Sequence, residues 1–298
     1  MLDCECEGAP RDLGLDQGRR YRQLLGGSFR SRPLWQRALL RLGRGSDAQQ
    51  RFQQDLRRFF PQQAEATEAL ATGARLPAAW LLERLASDPT GAVRGECLGL
   101  AAARAVSASG PLLARSIPTD AIVRRSKPEG GFQSIEITQP WRTAPLAGVN
   151  EAGLAAAVVA EPGEPGGDPA CAVPASLLVL DCLARFDGLD GAIDWLLARP
   201  GGGNATILLA DARGEIAGVG FRGAERTISR PADDLLVRTG GHERHGEIEK
   251  GLREASPLVA SDLARFLGTE LVAIEPDRGR LGWLHRGASD EGDRWFEL

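Results

Sequence analysis

This sequence has little of what would stitch it together covalently or hold it in a membrane. No apolar run approaches the roughly 18 residues that a bilayer span needs, so no membrane partner is expected. The first residues, MLDCECEGAPRDLG, have neither the basic start nor the apolar centre of a secretory signal. Five cysteines, an odd number without regular spacing, argue against a disulfide scaffold and for a reducing, cytoplasmic setting. Metal-ligand spacing is also missing. Cys4-Glu5-Cys6 has no second ligand pair, and His242 and His245 lie in His-Glu-Arg-His, which is not the His-Glu-x-x-His of a zinc helix. No metal or other cofactor is therefore expected. Charge of one sign is not in excess either: Lys+Arg 36 against Asp+Glu 40 leaves −4, which excludes the basic footprint of a nucleic-acid binder. The glycines at Gly201-Gly202-Gly203 lack the lysine and spacing of a phosphate-binding P-loop.

What is present suits a globular chain. At 298 residues and 43% hydrophobic content, one large domain or two can form with a substantial core. Leu2, Cys4 and Cys6 alternate with charged residues, the pattern of a short edge strand. A glycine-punctuated turn, Gly8 to Gly18, then leads into an amphipathic helix from about Leu13 to Leu25. From Pro33 to Ser87 the pattern is helical. Trp35, Leu39, Leu40 and Leu42 form one apolar stripe and Phe52, Leu56, Phe59 and Phe60 another, both read as core-facing. Pro61 opens a helix with Gly73 at its C-terminal cap, and Pro77 opens the next. Ser87 to Gly91 is a turn-rich, exposed loop.

The chain is organised around Arg94–Thr119, RGECLGLAAARAVSASGPLLARSIPT. Two short apolar runs, Leu98–Ala103 and Leu112–Ile117, flank the turn Ser109-Gly110-Pro111 and predict a β-hairpin with Cys97 at its entrance. From composition alone Cys97 reads as one more buried small residue, since free cysteine is among the most buried types.

Downstream, Arg124 to Gly131 reads as a charged loop, solvated or open to a phosphate or CoA-type partner. Phe132–Thr138 alternates as a strand. Gly148-Val149-Asn150-Glu151-Ala152-Gly153-Leu154 is a turn whose glycine tolerates positive φ, leading into the apolar run Ala155–Ala160. Glu161–Pro169 is a Pro/Gly-rich loop long enough to border a cleft. Helices are expected over Pro174–Phe186 and Leu189–Arg199, with Cys182 on the apolar stripe of the first. Strands follow at Ala205–Ala210 and Glu215–Phe221. Two helices, about Glu243–Arg253 and Leu258–Phe266, precede a last hairpin with strands at Glu270–Glu275 and Leu281–His285.

These motifs, taken in order over nearly the whole chain, resemble the N-terminal-nucleophile hydrolases. Within that group the sequence is most similar to the acyl-CoA:6-aminopenicillanate acyltransferase family, relatives of the choloylglycine hydrolases. The resemblance rests on Cys97 heading its strand, on Gly8–Gly18, on Asn150-Glu151-Ala152-Gly153-Leu154, on Gly203-Asn204 with Asp211 and Gly214, and on Thr239 and His242 of a Thr-Asn-His turn. Arg115 matches the start of the family's Arg-Asn-x-Asp sequence, whereas Pro118 stands where its aspartate would be. Leu98 follows the cysteine where a Thr or Ser is usual.

The resemblance implies an α+β fold, an αββα sandwich of two stacked antiparallel sheets between helical layers. It also implies self-cleavage between Glu96 and Cys97, which makes residues 1–96 a helical pro-segment that stays packed on catalytic residues 97–298, all in one structural domain. The implied activity is hydrolysis or acyl transfer at a linear, non-peptide amide through a thioester on Cys97. A small-molecule amide or acyl donor, acyl-CoA included, is the implied partner. In that scheme Cys97 is the nucleophile and its freed α-amine the base, titrating near pH 8 and so suited to proton transfer at neutral pH. Arg115 orients substrate or thiolate, and Asn204 donates to the oxyanion. Read without the family, Asn204 is equally a loop asparagine before a strand. The alternative for the whole chain is a non-catalytic remnant of the fold that serves as a binding module.

Overall fold

The computed structural model of the protein describes residues 3–41, 47–87, 97–161, 173–201, 203–231, 233–240, 245–267, 270–285 and 293–298. The chain opens with strand β1 (Asp3–Gly8) and helices α1 (Pro10–Arg20), α2 (Arg22–Arg30), α3 (Leu34–Arg41), α4 (Asp47–Phe59), α5 (Pro61–Ala74) and α6 (Ala78–Ser87). Strands β2 (Gly99–Ala102), β3 (Leu112–Ser116), β4 (Ile122–Pro128), β5 (Ser134–Thr138), β6 (Ala147–Asn150) and β7 (Leu154–Ala160) follow. Helices α7 (Leu177–Arg185) and α8 (Leu189–Ala198) lead to β8 (Asn204–Asp211), β9 (Ile216–Arg222), β10 (Glu225–Ser229) and β11 (Leu235–Arg238). The chain closes with α9 (His245–Glu254), α10 (Ala264–Leu267), β12 (Glu270–Glu275), β13 (Arg280–His285) and β14 (Arg294–Glu297).

Two sheets result, ordered β1-β4-β5-β6-β7-β8-β9-β10 and β11-β2-β3-β12-β13-β14. Alternation along each strand sorts their side chains into three apolar layers. Cys97, just before β2, Ala101 on β2 and Leu113 on β3 face the eight-stranded sheet and pack with its Val159, Ile135 and Leu208. Their neighbours Leu98, Leu100 and Ala114 face the other way, onto Leu252 of α9 and Leu267 of α10. The far face of the eight-stranded sheet, including Ala156, Val158 and Ile207, lies under α1, α2, α5, α7 and α8. The expected αββα sandwich of two sheets between helical layers is thus the observed architecture. Its sheets are antiparallel except that β1 joins β4 in parallel.

Residues 3–87 therefore contribute an edge strand as well as a helical layer. α1 lies against α5 because Gly14 and Gly18 leave room for backbone contact. A Cβ at Gly18 would fall 2.2 Å from the Leu70 carbonyl oxygen. Gln17, on the same turn, is fully buried and donates to the carbonyls of Gln139 and Arg142 at 3.1 and 2.9 Å.

Several local expectations are corrected. The stretch read as a charged loop from Arg124 is strand β4, and Arg124 is buried. Its guanidinium donates to Glu136 at 2.7 Å and to Gln17 at 2.6 Å. Burial works against that charge, but the Glu136 carboxylate more than offsets the cost and raises Arg124 above its ordinary value. A solvated loop would have no such partner, so Arg124 is withdrawn from any CoA-type contact.

Gly73 does not cap α5. It lies inside the helix against the Leu15 carbonyl of α1, and Arg75 takes the left-handed cap at φ 59°. The single helix expected over Leu13–Leu25 breaks at Tyr21. The stripe on α3 does not all face inward: Leu40 is buried, whereas Trp35 and Leu39 are exposed. The second late helix is a 3-10 turn followed by the one-turn α10. β10, which pairs with β9 at the sheet edge, had no sequence signal strong enough to find it. The Pro/Gly-rich stretch beyond Glu161, Cys171, His242 and the Glu96 side of the expected cleavage junction lie outside the described residues.

Candidate active site

The β2–β3 hairpin builds the centre of the site. In its register Gly99 stands opposite Arg115. Cys97, two residues before Gly99, points to the same side as Arg115, into the layer between the sheets. A Cβ at Gly99 would fall 2.5 Å from Val159 Cγ2, so glycine there lets the two sheets close over this point.

Cys97 and Arg115 are both buried, 3% and 1% exposed. Arg115 donates through Nη2 to Cys97 Sγ at 3.5 Å, through Nη1 to the Leu146 carbonyl at 3.1 Å and through Nε to the Ser116 carbonyl at 2.9 Å. Two backbone anchors thus fix the plane of the guanidinium, which presents its remaining edge to sulfur. Among the described residues no carboxylate forms an ion pair with Arg115.

Leu98, which takes the place of an expected hydroxyl, turns away from this centre into the layer under α9 and α10. Its backbone is held instead: the Leu98 N–H donates to Ser116 Oγ at 3.0 Å, and the Ser116 N–H to the Leu98 carbonyl at 2.9 Å.

The rest of the site comes from three other strands at the same end of the sandwich. β11 pairs with β2 so that Arg238 lies opposite Gly99, which puts Thr239 and Gly240 beside Leu98 and Cys97. Gly240, at φ 54°, sits between two carbonyls: a Cβ there would fall 2.7 Å from the Cys97 oxygen and 3.0 Å from that of Ala160. Ala160 ends β7 opposite Ala205 of β8, and the next N–H, that of Glu161, donates to the Asn204 carbonyl at 3.0 Å. Asn204 thus heads β8 one strand over from the carbonyl that shares Gly240 with Cys97. It is half-buried.

Sequence reasoning missed Arg238 and gave Glu161 no role beyond a loop bordering a cleft. Glu161 Oε1 accepts from Thr206 Oγ1 at 2.7 Å and pairs with Arg238 Nε at 3.4 Å, a half-buried tie between the two sheets. Nothing local marks this pair, because its partners meet only when the sheets stack. A cavity of about 190 Å³ lined by Val106, Leu235, Leu252 and Leu258 lies on the opposite side of the six-stranded sheet, away from Cys97.

The other thiols sit in different surroundings. Cys182 on α7 is fully buried, and burial pushes its thiol well above the ordinary value. Cys4 and Cys6 lie under the helical layer with their sulfurs 3.5 Å apart. Among the described residues no group of three or more His, Cys, Asp or Glu is arranged to hold a metal ion.

No family model matches the chain, and no curated protein matches it. Solved structures are similar to it at low identity. The conjugated bile acid hydrolase from Clostridium perfringens shares 10% identity over 68% of this chain and 92% of its own, with a TM-score of 0.47. The Caenorhabditis elegans ortholog of N-acylethanolamine-hydrolyzing acid amidase shares 14% over 61% and 93%, with a TM-score of 0.45. Penicillin V acylase from Agrobacterium tumefaciens shares 13% over 68% and 78%, with a TM-score of 0.40.

Proposed function

We propose that the chain is an N-terminal-nucleophile enzyme that cleaves or transfers an acyl group at a linear amide through a thioester on Cys97. The observation that carries this reading is the 3.5 Å contact between Arg115 Nη2 and Cys97 Sγ, made inside the layer between the sheets. A buried guanidinium aimed at a thiol is costly as mere packing. It is useful if that sulfur bears negative charge during attack.

In this reading, cleavage between Glu96 and Cys97 frees the cysteine's α-amine. The amine takes the thiol proton as sulfur attacks the amide carbonyl, and the Asn204 side-chain amide donates to the oxyanion that forms. Collapse breaks the C–N bond, the proton passes to the leaving amine, and water or a second amine then takes the acyl group from sulfur. The finer assignment to the acyl-CoA:6-aminopenicillanate acyltransferase family rests on the sequence motifs. So do residues 1–96 as a retained pro-segment, and the small-molecule amide or acyl-CoA donor as partner.

The second reading, a non-catalytic binding module, is favoured by Pro118, which offers no carboxylate after Arg115. The two readings part on intact mass. After prolonged incubation under reducing conditions, the wild type is expected as fragments 1–96 and 97–298, and Cys97→Ala as one chain. A single 298-residue chain in both samples overturns the enzyme reading.

A further inference from the structure

α3 presents to water the side of a helix that is usually hidden. Its exposed positions include Leu34, Trp35, Ala38 and Leu39. At the helical repeat these four fall within one arc of about 140°. Leu34 is 76% and Trp35 64% exposed. The opposite side holds buried Leu40 and Arg37, whose guanidinium lies over the Phe29 ring at 5.8 Å. A lone exposed leucine is ordinary on a protein surface, but a helix face that is apolar throughout is the kind of patch that something else covers.

The charge around this face says what that is. From Gly26 to Ser46, the stretch that carries α3, the sequence contains five arginines and no acidic residue, in a chain whose net charge is −4. Arg32, just before α3, pairs with Glu83 of α6 at 2.7 Å, and Arg30 is exposed. A second copy of the same face would bring like charge against like, whereas an anionic surface would not. An exposed tryptophan and leucines flanked by arginine is also the composition of a helix that lies in the headgroup region of a bilayer.

We propose that α3 is a peripheral membrane-binding element. Leu34, Trp35 and Leu39 enter the boundary between headgroups and acyl chains, and the exposed Arg30 meets lipid phosphate. No described helix is long and apolar enough to cross a membrane, so this is attachment to a surface. The expectation of no membrane partner came from the absence of such a span and did not address a helix lying flat. The proposal does not depend on Cys97 or on the amide-cleaving reading.

The test is co-sedimentation of the full chain with vesicles of phosphatidylcholine alone and of equal parts phosphatidylcholine and phosphatidylglycerol. The wild type is expected on the anionic vesicles, about tenfold less on the neutral ones, and to be released by high salt. The double variant Leu34→Ser/Trp35→Ser is expected to lose about tenfold in partitioning with its thermal melt unchanged, because both side chains are exposed. Arg30→Gln is expected to lose about fivefold. Failure of the wild type to bind either vesicle overturns the proposal, as does equal binding by wild type and double variant. A concentration-dependent dimer that binds no vesicle and that the double variant dissociates would overturn it in favour of a second copy.

Discussion

Arg115 reaches the Cys97 sulfur from the position opposite Gly99, so that cation and thiol share the face of the six-stranded sheet that looks across to its neighbour. A lysine at 115 would keep the charge but could not fork between the Leu146 carbonyl, the Ser116 carbonyl and sulfur. For Arg115→Lys we expect alkylation of Cys97 by iodoacetamide to slow by about tenfold while the protein stays folded. An unchanged alkylation rate would show that Arg115 does not act on the thiol.

The same chemistry separates the cysteines. Cys182 is fully buried in an apolar helix face, with its thiol raised by burial and by Asp181 beside it. Peptide mass mapping of the native protein under limiting reagent is expected to find label on Cys97 before Cys182, and on Cys182 only in denaturant. The reverse order would count against Cys97 as nucleophile.

Asp181 gives a pH signature. Burial raises its carboxyl, although Arg185 and a 3.4 Å bond from Trp195 Nε1 pull the other way. The folded chain then holds that proton more tightly than the unfolded chain. Its contribution to stability is complete below the ordinary carboxylate value of about 4 and is lost as pH rises through the higher folded value. Asp181→Asn removes this dependence. Thermal melts are expected to show the variant more stable than the wild type at neutral pH, with the gap shrinking on acidification.

The backbone contact between α1 and α5 predicts a contrast between two helix glycines. Gly18→Ala puts a methyl 2.2 Å from the Leu70 carbonyl and 2.9 Å from the Ala74 nitrogen. Neither backbone can yield without separating the helices, so a loss of about 3 kcal/mol or more in urea denaturation is expected. Gly27→Ala, on α2 with nothing within 4 Å of the new methyl, is expected to gain about 0.5–1 kcal/mol. Equal effects would show that α1 and α5 are not in backbone contact.

Much of this was legible in the chain itself, because local patterns act locally. The apolar runs on either side of Ser109-Gly110-Pro111 do form the β2–β3 hairpin, and Gly153, at φ 84°, makes the turn between β6 and β7 that its motif implied. The helices of the first third followed from their stripes and prolines.

Tertiary structure alone decided which charges and stripes are hidden. Arg124 looks solvated in sequence because Glu136 and Gln17, which make its burial tolerable, are 12 and 107 positions away. Trp35 and Leu39 look like core for the converse reason: a stripe shows that a helix has an apolar side but not whether another element covers it. Asn204, Gly240 and Cys97 come to one end of the sandwich only because β8, β11 and β2 are brought there by strand pairing, and register between distant strands is set by packing of whole sheets.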